Sequence, residues 1–173
     1  NNAPVLTEDD LIVMGTKALG VPVYEWIAAM GEPVEMQTLP AGGGRLLLYE
    51  GAAVTLGLDE ATGVEVVQGV SVTGSGLTGP RGLHVGMSLS EATALFRCDG
   101  DIGADGGVLY IEGEAYGEPP FGEMTPIRSG TATVRYTCMM ASGKIGRLEV
   151  GVENGSVSYW HMYEGQEEAL SGV

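Results

Sequence analysis

The chain predicts an α+β fold of two tandem repeats, each a short helical segment packed on an antiparallel β-sheet. Three pairs of matching segments point to it, and internal repetition is the first pattern to look for in a glycine-rich chain. Gly20-Val21-Pro22-Val23-Tyr24-Glu25-Trp26-Ile27-Ala28-Ala29-Met30 aligns with Gly86-Met87-Ser88-Leu89-Ser90-Glu91-Ala92-Thr93-Ala94-Leu95-Phe96. Gly43-Gly44-Arg45-Leu46-Leu47-Leu48-Tyr49-Glu50-Gly51 aligns with Asp105-Gly106-Gly107-Val108-Leu109-Tyr110-Ile111-Glu112-Gly113. Ala61-Thr62-Gly63 aligns with Ala141-Ser142-Gly143.

The first pair reads as two short amphipathic helices. Ser88 and Glu91 form an S-x-x-E capping box, in which each side chain satisfies an orphan N–H of the other residue. Pro22 stands where a missing N–H costs nothing, and Gly31 ends the first helix. The second pair reads as apolar strands preceded by glycine loops, and the third as hairpin turns. Leu148, Val150 and Val152 alternate with Glu149, Gly151 and Glu153, and Asn154-Gly155 follows. Asn-Gly between alternating runs predicts a two-residue hairpin, so the formal glycosylation sequon Asn154-Gly155-Ser156 is read as a turn.

These elements divide the chain into a first repeat over residues 1–73, a glycine-rich connector over 74–85 and a second repeat over 86–173. The second is lengthened by an insertion near 118–129 carrying Pro119, Pro120 and Pro126.

The 173 residues bear a formal net charge of −15, with 44% hydrophobic side chains and 29 glycines. Nucleic-acid binding begins from a basic footprint, which this chain lacks. Docking on an anionic membrane surface is disfavoured for the same reason. No apolar run approaches the roughly 18 residues that predict a transmembrane helix. The acids are spread evenly, ten against three basic residues over 1–82 and thirteen against five over 83–173, as expected of a solvated surface. The chain begins Asn1-Asn2 without a methionine. The expectation is a removed leader, by export processing or by truncation, with room for a lipid anchor on the lost segment.

Gly74-Ser75-Gly76-Leu77-Thr78-Gly79 spells G-x-G-x-x-G, but Pro80-Arg81-Gly82 follows where a dinucleotide site needs a helix N-terminus. Asp101, Asp105, Gly106, Val108 and Glu112 fit positions of a calcium loop, yet Gly103 stands at a ligand position. Glu112 also matches Glu50 of the first repeat, which explains it as part of the strand pattern. Asp99, Asp101 and Asp105 are left as weak metal candidates, and a solvated acidic turn is the plainer reading. His84 and His161 have no positioned acid–base partner. No cofactor is expected, and no catalytic residue can be named. Tyr110, Tyr136, Tyr159, Trp160, His161 and Tyr163 all fall on expected strands of the second repeat, where alternation should place some on the face away from the helices. They form a candidate binding face; the competing reading is core or subunit packing.

The segment Gly82-Leu83-His84-Val85-Gly86-Met87-Ser88-Leu89-Ser90-Glu91-Ala92 resembles the helix start of the β-lactamase inhibitor protein and of related small outer-membrane assembly lipoproteins. The chain is also similar to exported lipoproteins of Gram-positive gut bacteria, through Gly31-Glu32-Pro33 and the run Thr78-Gly79-Pro80-Arg81-Gly82-Leu83-His84-Val85-Gly86. The inhibitor fold implies helices on an antiparallel sheet whose open face binds the partner. No binding residue of the inhibitor transfers to this chain by motif. The only two cysteines, Cys98 just past the second helix and Cys138 in an expected strand, suit a helix-to-sheet disulfide, and the resembling inhibitor has a comparable bridge; two buried free thiols are the alternative. The expected function is an exported, non-enzymatic binding module of the cell envelope, with a protein or envelope ligand as its partner. The alternative is a small hydrolase or other enzyme whose site has no familiar motif.

Overall fold

In the computed structural model, which describes residues 1–165, the chain is mostly β. The two α-helices are short, α1 at Val23–Met30 and α2 at Leu89–Thr93. Hairpin β1 (Ile12–Val13) and β2 (Thr16–Lys17) forms a small separate sheet. The remaining strands are β3 (Glu35–Thr38), β4 (Arg45–Tyr49), β5 (Ala52–Leu58), β6 (Glu65–Val72), β7 (Gly107–Ile111), β8 (Phe121–Met124), β9 (Thr131–Met139), β10 (Ile145–Glu153) and β11 (Ser156–Glu164). They form one nine-stranded antiparallel sheet in the order β3-β4-β5-β6-β11-β10-β9-β8-β7.

This corrects the expected fold of two tandem α+β repeats. The two halves share a single sheet, joined where β11 pairs with β6 through Trp160 opposite Val72 and Tyr163 opposite Gly69. The segments that match in sequence take unlike places. Residues 45–49 lie one strand in from an edge, whereas 107–111 are the edge itself. The turn at 61–63 links β5 to β6 beside the seam, but the turn at 141–143 links β9 to β10, one strand further out. Local turn chemistry and apolar runs recur, but the sheet does not use them twice in the same way. The stretch 118–129, expected as an insertion, supplies β8, which pairs with both β7 and β9.

Several local expectations are met. Asn154 and Gly155 both take positive φ, 51° and 82°, and close the β10–β11 hairpin. The N–H of Glu91 donates to Ser88 Oγ at 3.1 Å, and Ser88 N–H donates back to Glu91 Oε1 at 3.4 Å.

One face of the sheet is covered. α1 lies against β6 and α2 against β11, and Trp26, Leu83, Ala92 and Phe96 pack onto Val67, Val70, Val134, Leu148, Val150 and Met162 in a single core. Each fully buried side chain of this kind contributes roughly 1.5–3 kcal/mol. Trp26 Nε1–H donates to Tyr49 Oη at 3.2 Å, and Tyr49 donates to the Gly31 carbonyl at 2.9 Å, tying the end of α1 to β4.

The 74–85 segment is fastened to the body of the protein. Gly79 lies under the Trp160 ring, where an added Cβ would sit 2.9 Å from ring carbons. Gly74 meets the backbone of Gly51. These close approaches account for two glycines of the G-x-G-x-x-G run without a phosphate, and the short 3-10 turn Pro80–Gly82 follows them. Arg81 bolts this segment down. It donates to Asp10 Oδ1 and Oδ2 at 3.0 and 2.9 Å and to the carbonyls of Pro4, Leu95 and Val5 at 2.6, 2.7 and 2.8 Å. Its guanidinium carbon stands 4.7 Å from the Phe96 ring centroid. No helix among the described residues is long and apolar enough to cross a membrane.

Candidate binding face

The sheet divides the six expected aromatic residues between its faces. Tyr110, Tyr136 and Trp160 are buried in the core on the helix-covered side. Tyr136 lies 4.5 Å from the Phe96 centroid and 6.1 Å from that of Tyr110. Tyr110 Oη accepts the Leu6 N–H at 3.1 Å, and burial raises its phenol to about 12. These three are packing residues and leave the candidate face. Tyr159, His161 and Tyr163 project from the opposite side, because β11 alternates and Trp160 and Met162 point into the core.

Register arranges that opposite side in rows. Glu123, Arg135, Glu149, His161 and Ser71 lie side by side across β8, β9, β10, β11 and β6. Phe121, Thr137, Arg147, Tyr163 and Gly69 form the next row. Charges meet within and between rows. Arg135 Nε–H donates to Glu149 Oε1 at 3.1 Å, and Tyr159 O–H donates to Glu149 Oε2 at 2.7 Å. Burial and the Glu149 carboxylate raise the Tyr159 phenol to about 12. The His161 ring lies tilted against Tyr163, with centroids 4.7 Å apart; burial lowers its pKa, with Glu149 acting in the opposite direction.

Between the rows lies a cavity of about 130 Å³ lined by Tyr116, Phe121, Glu123, Arg135, Thr137, Arg147, Glu149 and Tyr163. Tyr116, mostly exposed, closes edge-on to Phe121 at 5.0 Å, and its hydroxyl donates to Glu123 Oε2 at 3.1 Å. Tyr163 and Tyr136, which borders the cavity from the core, are the lining residues expected from the sequence. The signal was present in the spacing: Arg135 and Thr137 on β9, and Arg147 and Glu149 on β10, put polar side chains at two-residue intervals among apolar neighbours.

The other candidates lie apart from this face. Asp99 pairs with Arg97 at 2.8 Å, and Arg97 also pairs with Glu112. No group of three or more His, Cys, Asp or Glu side chains among the described residues could hold a metal ion, so Asp99, Asp101 and Asp105 do not assemble into a site. His84 Nδ1 bonds the Gly82 carbonyl at 3.0 Å. Cys98 and Cys138 are unbridged in the structure. Cys98 Sγ donates to the Gly100 carbonyl at 3.0 Å, and burial pushes the Cys138 thiol up to about 12.

Comparison with protein families, curated proteins and solved structures found no match for the chain.

Proposed function

We propose that the protein is an exported, non-enzymatic binding module of the cell envelope and that the face of its sheet without helices among the described residues is the contact surface. The observation behind this is the asymmetry of the sheet. Helices and core fill one side, while the other carries half-buried Tyr159 and His161, beside buried Tyr163, among in-register rows of charged residues. Tyr and Arg are the side chains from which interface anchors are commonly made. The cavity on this face, about 130 Å³, is small beside the roughly 300–1,000 Å³ of small-molecule sites. It suits a single side chain of a larger partner. Export, and anchoring by lipid, rest on the resemblance of residues 31–33 and 78–86 to exported lipoproteins. The partner is a protein or other envelope component.

The test uses the full chain as bait on native envelope extract. Ser71 and Thr55 are half-buried and lie on the proposed surface, so Ser71→Trp and Thr55→Arg add bulk there without touching the core. Loss of the retained partner with both variants supports the reading. Unchanged retention overturns it.

A further inference from the structure

We propose that the outer edge of β3 is a further contact site, which takes up an extended polypeptide segment of alternating basic and apolar residues as an added antiparallel strand. The site is separate from the open face and stands whether or not that face binds a partner.

The two edges of the sheet differ. At β7 the Asp99 N–H donates to the Leu109 carbonyl at 2.8 Å, so the loop after α2 occupies that edge. The Arg97–Glu112 ion pair lies beside it. β3 has no such cover among the described residues, and Glu35, Met36, Gln37 and Thr38 are all exposed. Register says which backbone groups are open. Antiparallel neighbours exchange hydrogen bonds at every second residue. Leu39 N–H donates to the Gly44 carbonyl at 2.8 Å, so Gln37 and Glu35 also turn their backbone groups to β4, across from Leu46 and Leu48. Met36 and Thr38 therefore turn theirs outward. Each offers an N–H and a carbonyl to an incoming strand, which is how a sheet edge captures an extended peptide.

The side chains set what that strand must carry. Met36 ends a row that crosses the helix-covered face through Leu47, Val54, Val70 and Met162. The other four are buried, whereas Met36 is 45% exposed and Val34, just before the strand, 82%. Apolar side chains of an added strand continue this row. Glu35 projects from the other face, where Gln37 donates to its Oε1 at 3.4 Å. Glu32, also exposed, precedes the strand. Arg45, the only basic residue of β3 and β4, is tied to Glu65 by bonds of 2.8 and 2.5 Å. The edge is thus acidic, and a basic side chain next to Glu35 makes an opposite-charge cross-strand pair. Because side chains alternate between faces, a segment alternating basic and apolar residues satisfies both at once. An open edge can also pair with the same edge of a second copy. Here that would bring together two chains each of net charge −15, with Glu35 on both strands.

The experiment titrates the full chain with a short peptide alternating lysine and valine, following backbone amides by NMR. The Met36 and Thr38 amides are expected to shift with saturation and to gain protection from hydrogen exchange. A peptide alternating glutamate and valine should not bind. In antiparallel addition the valines lie across from Met36 and Thr38 and use their own N–H groups, so N-methylation of the valines should abolish binding and N-methylation of the lysines should not. Met36→Pro removes an outward N–H at a position where an edge strand tolerates proline, and should weaken binding at least tenfold. Glu35→Lys should weaken it about threefold, the effect of one exposed charge pair. The N-methylated peptides act on the unaltered chain, so the decision does not depend on a variant folding. Absence of binding, equal binding of the glutamate peptide, indifference to valine N-methylation, or shifts centred on β8 to β11 would each overturn the proposal. Concentration-dependent shifts of Met36 and Thr38 without peptide would mean that a second copy holds the edge, and would overturn it too.

Discussion

Replacing Arg81 by methionine is expected to cost about 3 kcal/mol of folding stability. The substitution keeps an unbranched stem over Phe96 but removes the guanidinium and its bonds to Asp10, Pro4, Val5 and Leu95. Hydrogen bonds to charged groups contribute roughly 1.5–3 kcal/mol each when counted singly, and breaking a buried pair by removing one partner costs about 3–5 kcal/mol. Five bonds cannot simply be added, because they share one side chain. Arg81 and Asp10 also keep 21% and 17% of their side-chain surface exposed, so water re-solvates part of what is lost. Asp10 retains bonds from Thr7 N–H and Oγ1–H. These considerations bring the figure to the low end of the buried range, still a large share of a typical net stability of about 5–15 kcal/mol. Urea denaturation measures it: the midpoint should fall while the m-value stays constant. Arg81→Gly serves as a control for the backbone, since Arg81 has a φ of 54° that strains any residue except glycine. It should be about 1 kcal/mol less damaging than an alanine placed there. A loss under about 1 kcal/mol in Arg81→Met would refute the idea that this residue bolts the N-terminal segment to the turn before α2.

Gly151→Ala would place a Cβ within the Tyr159 ring; the ring must leave its seat, at an expected cost of about 2 kcal/mol, and absorbance titration should show its phenol moving down from about 12. His161 has a folded pKa below its ordinary 6.5, so the unfolded chain binds the extra proton first and stability drops as pH falls from 6.5 through the folded value. Urea midpoints on either side of 6.5 should show that drop in the wild type and a smaller one in His161→Gln; equal drops would remove His161 from the account. Alkylation of the reduced native protein should label Cys98 before Cys138, whose thiol is buried and held protonated. Thiol counting on denatured, unreduced protein tests the Cys98–Cys138 bridge expected from the sequence, since a persistent bridge leaves none to react.

The parts of the fold legible in the sequence are those written in a few adjacent residues. The Ser88–Glu91 box, the Asn154-Gly155 turn and the alternation of Leu148, Val150 and Val152 each carry their own signal. Strand order is not written locally, so recurring turns read as recurring units. Facing is lost wherever the ladder is irregular. The β10–β11 register shifts between Gly151 and Val152, so Val157 and Trp160 share the core face although they are three residues apart. A similar shift at β7 leaves Leu109 and Tyr110 both buried. A two-residue period cannot be carried past a bulge without knowing that the bulge exists, so the six aromatic residues cannot be divided between the two faces from the sequence. The cavity was invisible for another reason: four strands contribute to it, and only register brings Phe121, Thr137, Arg147 and Tyr163 into line.

The seam between β6 and β11 dictates the order in which this chain can be completed. β6 is synthesised long before the strand that covers the second half of its free side, and in the interval it presents an unpaired edge along Gly69–Val72, the first half being paired by Gly20–Pro22. Such edges recruit other chains, and sheets closed by distant segments fold slowly. The pairing that joins the halves has to wait for β11, so a ribosome stalled before Ser156 would hold a nascent protein with the Gly69–Val72 edge of β6 bare. Cells producing it need either rapid completion of translation or a chaperone able to shield that strand until β11 arrives.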